Sequence, residues 1–321
     1  MDFRPHILLR SPHLQTVLSS RLLRLGERIA VDLNAEAELV TIPCRDGIRL
    51  QALVNAQPHQ APLVVLIHGW LGSADAPYLR RALAALHAAG FSVARLLLRD
   101  HGGTAHLNEG LFNAARIDEV VDACNWLAEH HASGACGLMG YSLGGNFVLR
   151  LAAHPDTSPR FRAALAVCPV LDPAASVIAL DRGWIGYRRY FVGKWRRAFD
   201  EKRRAFPERF DSAVVHRLSM VATVTDYFVS RYTPFRDADE YYSHYTLGRA
   251  FLRQARMPMR ILSTEDDPVL PAEHARALLG ATSDADVVTL IRHGGHCGFV
   301  EDFRLTSPLQ DYAVRYFDQH R

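Results

Sequence analysis

Short, wholly apolar stretches alternate along the chain with amphipathic ones, and the period of the pattern changes at each switch. Leu63–Ile67 is an unbroken apolar run bounded by Pro62 and His68-Gly69, which suits a strand buried on both faces. Pro77–Ala89 places its apolar residues at helical spacing and stops at Gly90. Phe91–Leu98 reads as the next strand, Ala114–His131 as the next helix and Ala135–Met139 as a further strand. Asn146–Ala153 then reads as a helix and Ala163–Val167 as a strand. Upstream, the segments 36–43 and 48–54 flank Asp46-Gly47, a short-range hairpin signal. Residues 1–35 are arginine-rich and helix-like. The alternation predicts an α/β fold, with a mainly parallel central sheet and helices on both of its faces.

The alternation pauses after Asp172. From 173 to 255 the chain is helical, aromatic and strongly charged, with no strand of the parallel type. Strand and helix patterns resume at Met259–Ser263, Ala272–Leu279 and Val287–Ile291, with a last helix near 306–319. The expected organisation is a core formed by 1–172 and 256–321, with 173–255 inserted as a helical cap over the sheet's C-terminal edge.

Composition narrows the function classes. The 321 residues are 49% hydrophobic and 22% charged, which is ordinary globular usage. No apolar run approaches the roughly 20 residues that a bilayer requires. The N-terminal segment is interrupted by Arg4, Pro5, His6 and Arg10, so it lacks the apolar region of a signal peptide, and a cytoplasmic protein is expected. The five cysteines, Cys44, Cys124, Cys136, Cys168 and Cys297, form no CxxC pair and read as reduced thiols. A net charge of +3 is too small to indicate a nucleic-acid partner. Of the 37 Lys and Arg only Lys194 and Lys202 are lysines, a skew that codon composition accounts for.

Charge is concentrated in one place. Asp181–Arg209 holds ten basic and four acidic residues, interleaved with Trp184, Tyr187, Tyr190, Phe191 and Trp195. A solvated helix pair with a buried aromatic stripe is the plain expectation. The basic exterior also offers a surface for transient contact with an anionic membrane. The oligomeric state is not legible.

Ligands of such a sheet bind outside the carboxyl ends of its strands, and four segments end there with reactive residues. Gly140-Tyr141-Ser142-Leu143-Gly144 is a G-x-S-x-G between an expected strand and an expected helix. A nucleophilic serine needs a turn this tight to raise its Oγ above the sheet. It also needs a base and an orienting acid. His296 lies in a glycine-rich loop after the last strand, and Gly294, Gly295 and Gly298 let that loop swing an imidazole over the serine. His296 is preferred to His293, which lies nearer the strand. A metal held by the two histidines would lack a third ligand nearby. Among the three consecutive carboxylates Glu265, Asp266 and Asp267, the last is preferred as the acid, because Asp267-Pro268 turns the chain. The order Ser142, Asp267, His296 is that of an α/β-hydrolase. His68–Ser73 is placed to supply an oxyanion donor, with the Trp70 and Leu143 amides as the expected pair. His68 itself is expected to pack beneath that loop and hold its shape. His13 and Gln15 are expected to tie the N-terminal segment to the core.

The chain resembles the α/β-hydrolase superfamily and, more narrowly, its YheT-like branch. The resemblance rests on Pro12-His13-Leu14-Gln15-Thr16, on His68–Ser73 followed by Pro77-Tyr78, and on the elbow Gly140–Asn146. Asp266–Pro268 and Gly294–Phe299 complete it. It implies an α/β-hydrolase fold with Ser142, Asp267 and His296 in the triad roles. Arg99-Asp100-His101 departs from the usual Arg-Gly of the branch, and Asp-Pro-Val from its Asp-Pro-Phe. The expected activity is hydrolysis of a small-molecule carboxylic ester with short- to medium-chain or lipid-like acyl groups. It proceeds through an acyl-enzyme, without cofactor or metal. Acyl transfer or thioester hydrolysis on the same groups is the alternative chemistry. A catalytically silent binding protein would instead show a damaged triad.

Overall fold

The structure is a computed structural model that describes residues 1, 3–21, 32–282, 284 and 287–321. Eight strands form one sheet in the order β1-β2-β4-β3-β5-β6-β7-β8. They span Glu38–Pro43, Arg49–Asn55, Leu63–Ile67, Ser92–Leu97, Cys136–Tyr141, Phe161–Val167, Met259–Thr264 and Val288–Ile291 in chain order. From β4 across to β8 all neighbours are parallel, whereas β1 and β2 pair antiparallel at one edge. The Asp46-Gly47 signal marks the turn between those two, where both residues adopt positive φ (57° and 71°).

Alternation along β3 divides the core. Leu63, Val65 and Ile67 face one layer, and Val64 and Leu66 the other. The first layer holds the helices Asp118–His131 and Leu143–Ala153. The second holds Pro77–Ala88 and Pro308–Asp318. Every β3 side chain is therefore buried, as the unbroken apolar run requires. The helix expected to begin at Ala114 begins four residues later, at Asp118. Tertiary contacts take its first backbone groups. The Tyr241 hydroxyl accepts the Ala114 N–H, and Arg150 donates to the Ala114 and Ala115 carbonyls.

The N-terminal segment carries a 3-10 turn at Ile7–Leu9 and helix α1 at Pro12–Arg21. The helix-like pattern of 22–31 lies outside the described residues. Between β6 and β7 the described regular elements are all helices, at Pro173–Arg182, Ile185–Ala205 (α2), Ala213–Arg217, Val221–Tyr232, Ala238–Ser243 and Arg249–Leu252. Leu180, Tyr187, Val192 and Val221 of this insertion pack with Val269 and Leu270, with Trp70 set against them. The insertion thus lies over the strand ends. One acid of its charged stretch is structural: Asp181 accepts the Val221 and Ala222 amides and caps the helix they open.

Candidate active site

Ser142 occupies the turn between β5 and the helix Leu143–Ala153, with φ 54° and ψ −120°. This is left-handed, strained backbone for a residue with a Cβ. The turn closes only because its flanks are glycine. A Cβ on Gly140 would overlap the Gly144 carbonyl, and one on Gly144 would overlap the Ile67 carbonyl. Asn146, fully buried one turn on, donates to the Val170 and Tyr245 carbonyls and fixes the helix to the chain just before the insertion and to the insertion's last part.

His296 Nε2 lies 3.0 Å from Ser142 Oγ, and its Nδ1 lies 2.8 Å from Asp267 Oδ2. The other oxygen of Asp267 accepts the Val269 and Leu270 amides at 2.8 and 2.9 Å. Those bonds fix the carboxylate and leave Oδ2 for the imidazole. Burial disfavours a charged His296, but the Asp267 carboxylate and the neighbouring Cys297 together outweigh it and raise the imidazole to about 9. Asp266 faces elsewhere. It accepts the Gly295 amide at 2.9 Å and lies 3.6 Å from His293.

The loop bearing His296 rests on the N-terminal segment. Thr16 Oγ1 accepts the His296 amide at 2.9 Å, and Gln15 bonds both the amide and the carbonyl of Val300. Gln15, fully buried, also donates to the Leu9 carbonyl, so it ties the segment to the core as expected. His13 instead meets the insertion, 3.0 Å from the Tyr187 hydroxyl.

Leu143 opens its helix, so its N–H is one that the helix leaves unbonded. In the loop after β3, Gly69 donates to the Tyr78 hydroxyl, Leu71 to His101 Nε2 and Gly72 to the Gly69 carbonyl. The Trp70 amide lies between these bonded neighbours. His68 is fully buried, with Nδ1 2.8 Å from the Gly69 carbonyl and Nε2 accepting the Leu98 amide. Burial pushes its imidazole down to about 4, which suits a neutral support beneath the loop.

Cys168 and Cys297 were legible only as reduced thiols. Their sulfurs and a His296 nitrogen all lie within 4.8 Å of one another. Both ring nitrogens of His296 are already engaged, by Ser142 and Asp267, so this trio does not fit a metal site.

Ser142 opens onto two connected spaces. A cleft of about 670 Å³ is lined by Thr16, Tyr78, Trp184, Tyr190, Lys194 and His296, among others. A narrower lobe of about 110 Å³ runs beneath the insertion between Leu143, Phe112, Val177, Leu180, Trp195 and Phe228. Trp70, Leu71, Ser142 and Phe191 border both.

A strained serine between a strand and a helix, within reach of a histidine after the last strand, is an arrangement that can be compared across proteins. The alpha/beta hydrolase fold family matches residues 62–303. The chain belongs to that family. It is 24% identical over 316 residues to YheT of Escherichia coli (strain K12), covering 95% of this chain and 91% of that protein. It is 23% identical over 322 residues to human ABHD15, and spans 65% of that protein's length. Among solved structures it is similar to the esterase Pf2001 of Pyrococcus furiosus, with a TM-score of 0.61 at 14% identity. That likeness covers 90% of this chain and 95% of the other. No helix among the described residues is long and apolar enough to cross a membrane.

Proposed function

We propose that this α/β-hydrolase cleaves carboxylic esters through an acyl-enzyme on Ser142. The observation that carries the reading is the unbroken relay from Ser142 Oγ through His296 to Asp267, at 3.0 and 2.8 Å. His296 takes the hydroxyl proton as Oγ attacks the acyl carbon, and Asp267 steadies the imidazolium that forms. The Trp70 and Leu143 amides hold the oxyanion. His296 then returns the proton to the departing alcohol. Water, activated by the same histidine, hydrolyses the acyl-enzyme and regenerates Ser142.

The two spaces divide the substrate. The narrow apolar lobe beside Leu143 suits the acyl chain, and the wider cleft suits the alcohol. A short-chain ester of a bulkier alcohol fits this division. The test is turnover of p-nitrophenyl esters by the wild type and by Ser142→Ala. The substitution should lower kcat on the order of 10⁴- to 10⁶-fold. Near wild-type turnover in a pure Ser142→Ala preparation would overturn the proposal.

A further inference from the structure

Both lysines of the chain lie on α2, two helical turns apart, and neither serves the solvated face. Lys194 Nζ donates to the Leu71 carbonyl at 2.6 Å. Lys202, fully buried, donates to Asp100 Oδ1 at 2.8 Å, to the Ala105 carbonyl at 3.2 Å and to the Asn108 carbonyl. Three acceptors around one nitrogen match the three N–H bonds of an ammonium, which a planar guanidinium does not reproduce.

Leu71 is gripped from its other side as well. Its N–H donates to His101 Nε2 at 3.0 Å, and His101 Nδ1 lies 2.6 Å from the Arg99 carbonyl. A carbonyl only accepts, so the proton sits on Nδ1 and leaves Nε2 as the acceptor. Leu71 has a φ of 55°, a conformation that a non-glycine residue keeps only when its surroundings impose it. One residue before Trp70, the Gly69 amide is fixed by Tyr78, and one residue after it stands Leu71.

We infer that Lys194 and His101 are positioning residues that clamp Leu71 from both ends and so hold the Trp70 N–H at the oxyanion hole. Lys202 seats α2 on the loop after β4, so the clamp closes only when the insertion is docked. The inference rests on the ester-hydrolase reading for its catalytic consequence, but not for the clamp itself. It also gives the Asp100-His101 departure from the branch pattern a use: Asp100 receives the helix and His101 holds the oxyanion loop.

The test compares full-length wild type with Lys194→Met, Lys194→Arg, His101→Leu and His101→Gln. Two quantities are read: the hydrogen-exchange rates of the amides of residues 70–72, and kcat and KM on a neutral p-nitrophenyl ester. Lys194→Met and His101→Leu should each speed exchange at least about tenfold and lower kcat about 10- to 100-fold, with KM within about twofold. His101→Gln, whose amide oxygen can replace Nε2 as acceptor, should restore most of both. Lys194→Arg, whose guanidinium can still donate to the Leu71 carbonyl, should lose less of both than Lys194→Met. Unchanged exchange in Lys194→Met and His101→Leu overturns the clamp. Faster exchange with unchanged kcat overturns the oxyanion role, and a change confined to KM reassigns Lys194 to substrate contact. Should the wild type hydrolyse no ester, the activity reading fails while exchange still decides the clamp.

Discussion

Asp267 gives one carboxylate oxygen to His296 and the other to two backbone amides, whereas its neighbour Asp266 serves the Gly295 amide. The two acids should therefore respond differently to the same change. Asp267→Asn should lower kcat about 10²- to 10⁴-fold, because the amide favours the wrong imidazole tautomer. Asp266→Asn keeps an acceptor for Gly295 and should cost little. Equal losses in steady-state kinetics would contradict the assignment. The Asp267–His296 pair sets the pH dependence in the proposed mechanism. In that mechanism the neutral imidazole is the base, so activity should climb as His296 loses its proton. Asp267 stabilises the charged form, so the rise in kcat/KM should fall above the ordinary value of 6.5, towards about 9. Asp267→Asn should move the limb back to lower pH. A wild-type limb at or below 6.5 would contradict this picture.

Among the elements, the one that binds the insertion to the core most specifically is α2. Lys202 is fully buried against Asp100, which also accepts the Phe112 amide at 2.7 Å. Lys202→Met would leave a buried carboxylate without its counter-charge, at a cost of about 3–5 kcal/mol. Pairing it with Asp100→Asn should recover much of that loss. Urea unfolding of the two variants checks both expectations, and equal midpoints for Lys202→Met and wild type would contradict them. The elements also show what the sequence could reveal. Strands such as Leu63–Ile67 and the elbow around Ser142 were readable because their burial or their turn is dictated by neighbouring residues. The late start of the helix at Asp118 was not, because Tyr241 and Arg150, both distant in sequence, claim the backbone of Ala114 and Ala115. The placement of the lysines was hidden for the same reason. Lys194 and Lys202 read as part of a basic run until the fold brings Leu71 and Asp100 to them. Thr16 was legible only as a letter in a motif, and its bond to the His296 amide depends on where the N-terminal segment comes to lie.

Across the whole molecule, the proposed reacting groups lie on the core, and the insertion shares with the core the walls around them. Phe228, Leu180 and Val177 bound the narrow lobe, so under the proposed ester hydrolysis acyl length is the property selected there. Each added methylene should gain up to about 0.8 kcal/mol until about 110 Å³ is filled. Activity on p-nitrophenyl esters should thus rise from acetate to a short chain and then fall. Phe228→Ala should move the maximum to longer chains, and a flat profile in both proteins would contradict the lobe's role. The central claim concerns one oxygen atom. A fluorophosphonate probe, followed by peptide mapping, tests it most directly. The account expects a single phosphonylated residue, Ser142, with labelling abolished in Ser142→Ala and strongly slowed in His296→Ala. Absence of labelling in folded wild type, or modification of a different residue, would contradict it.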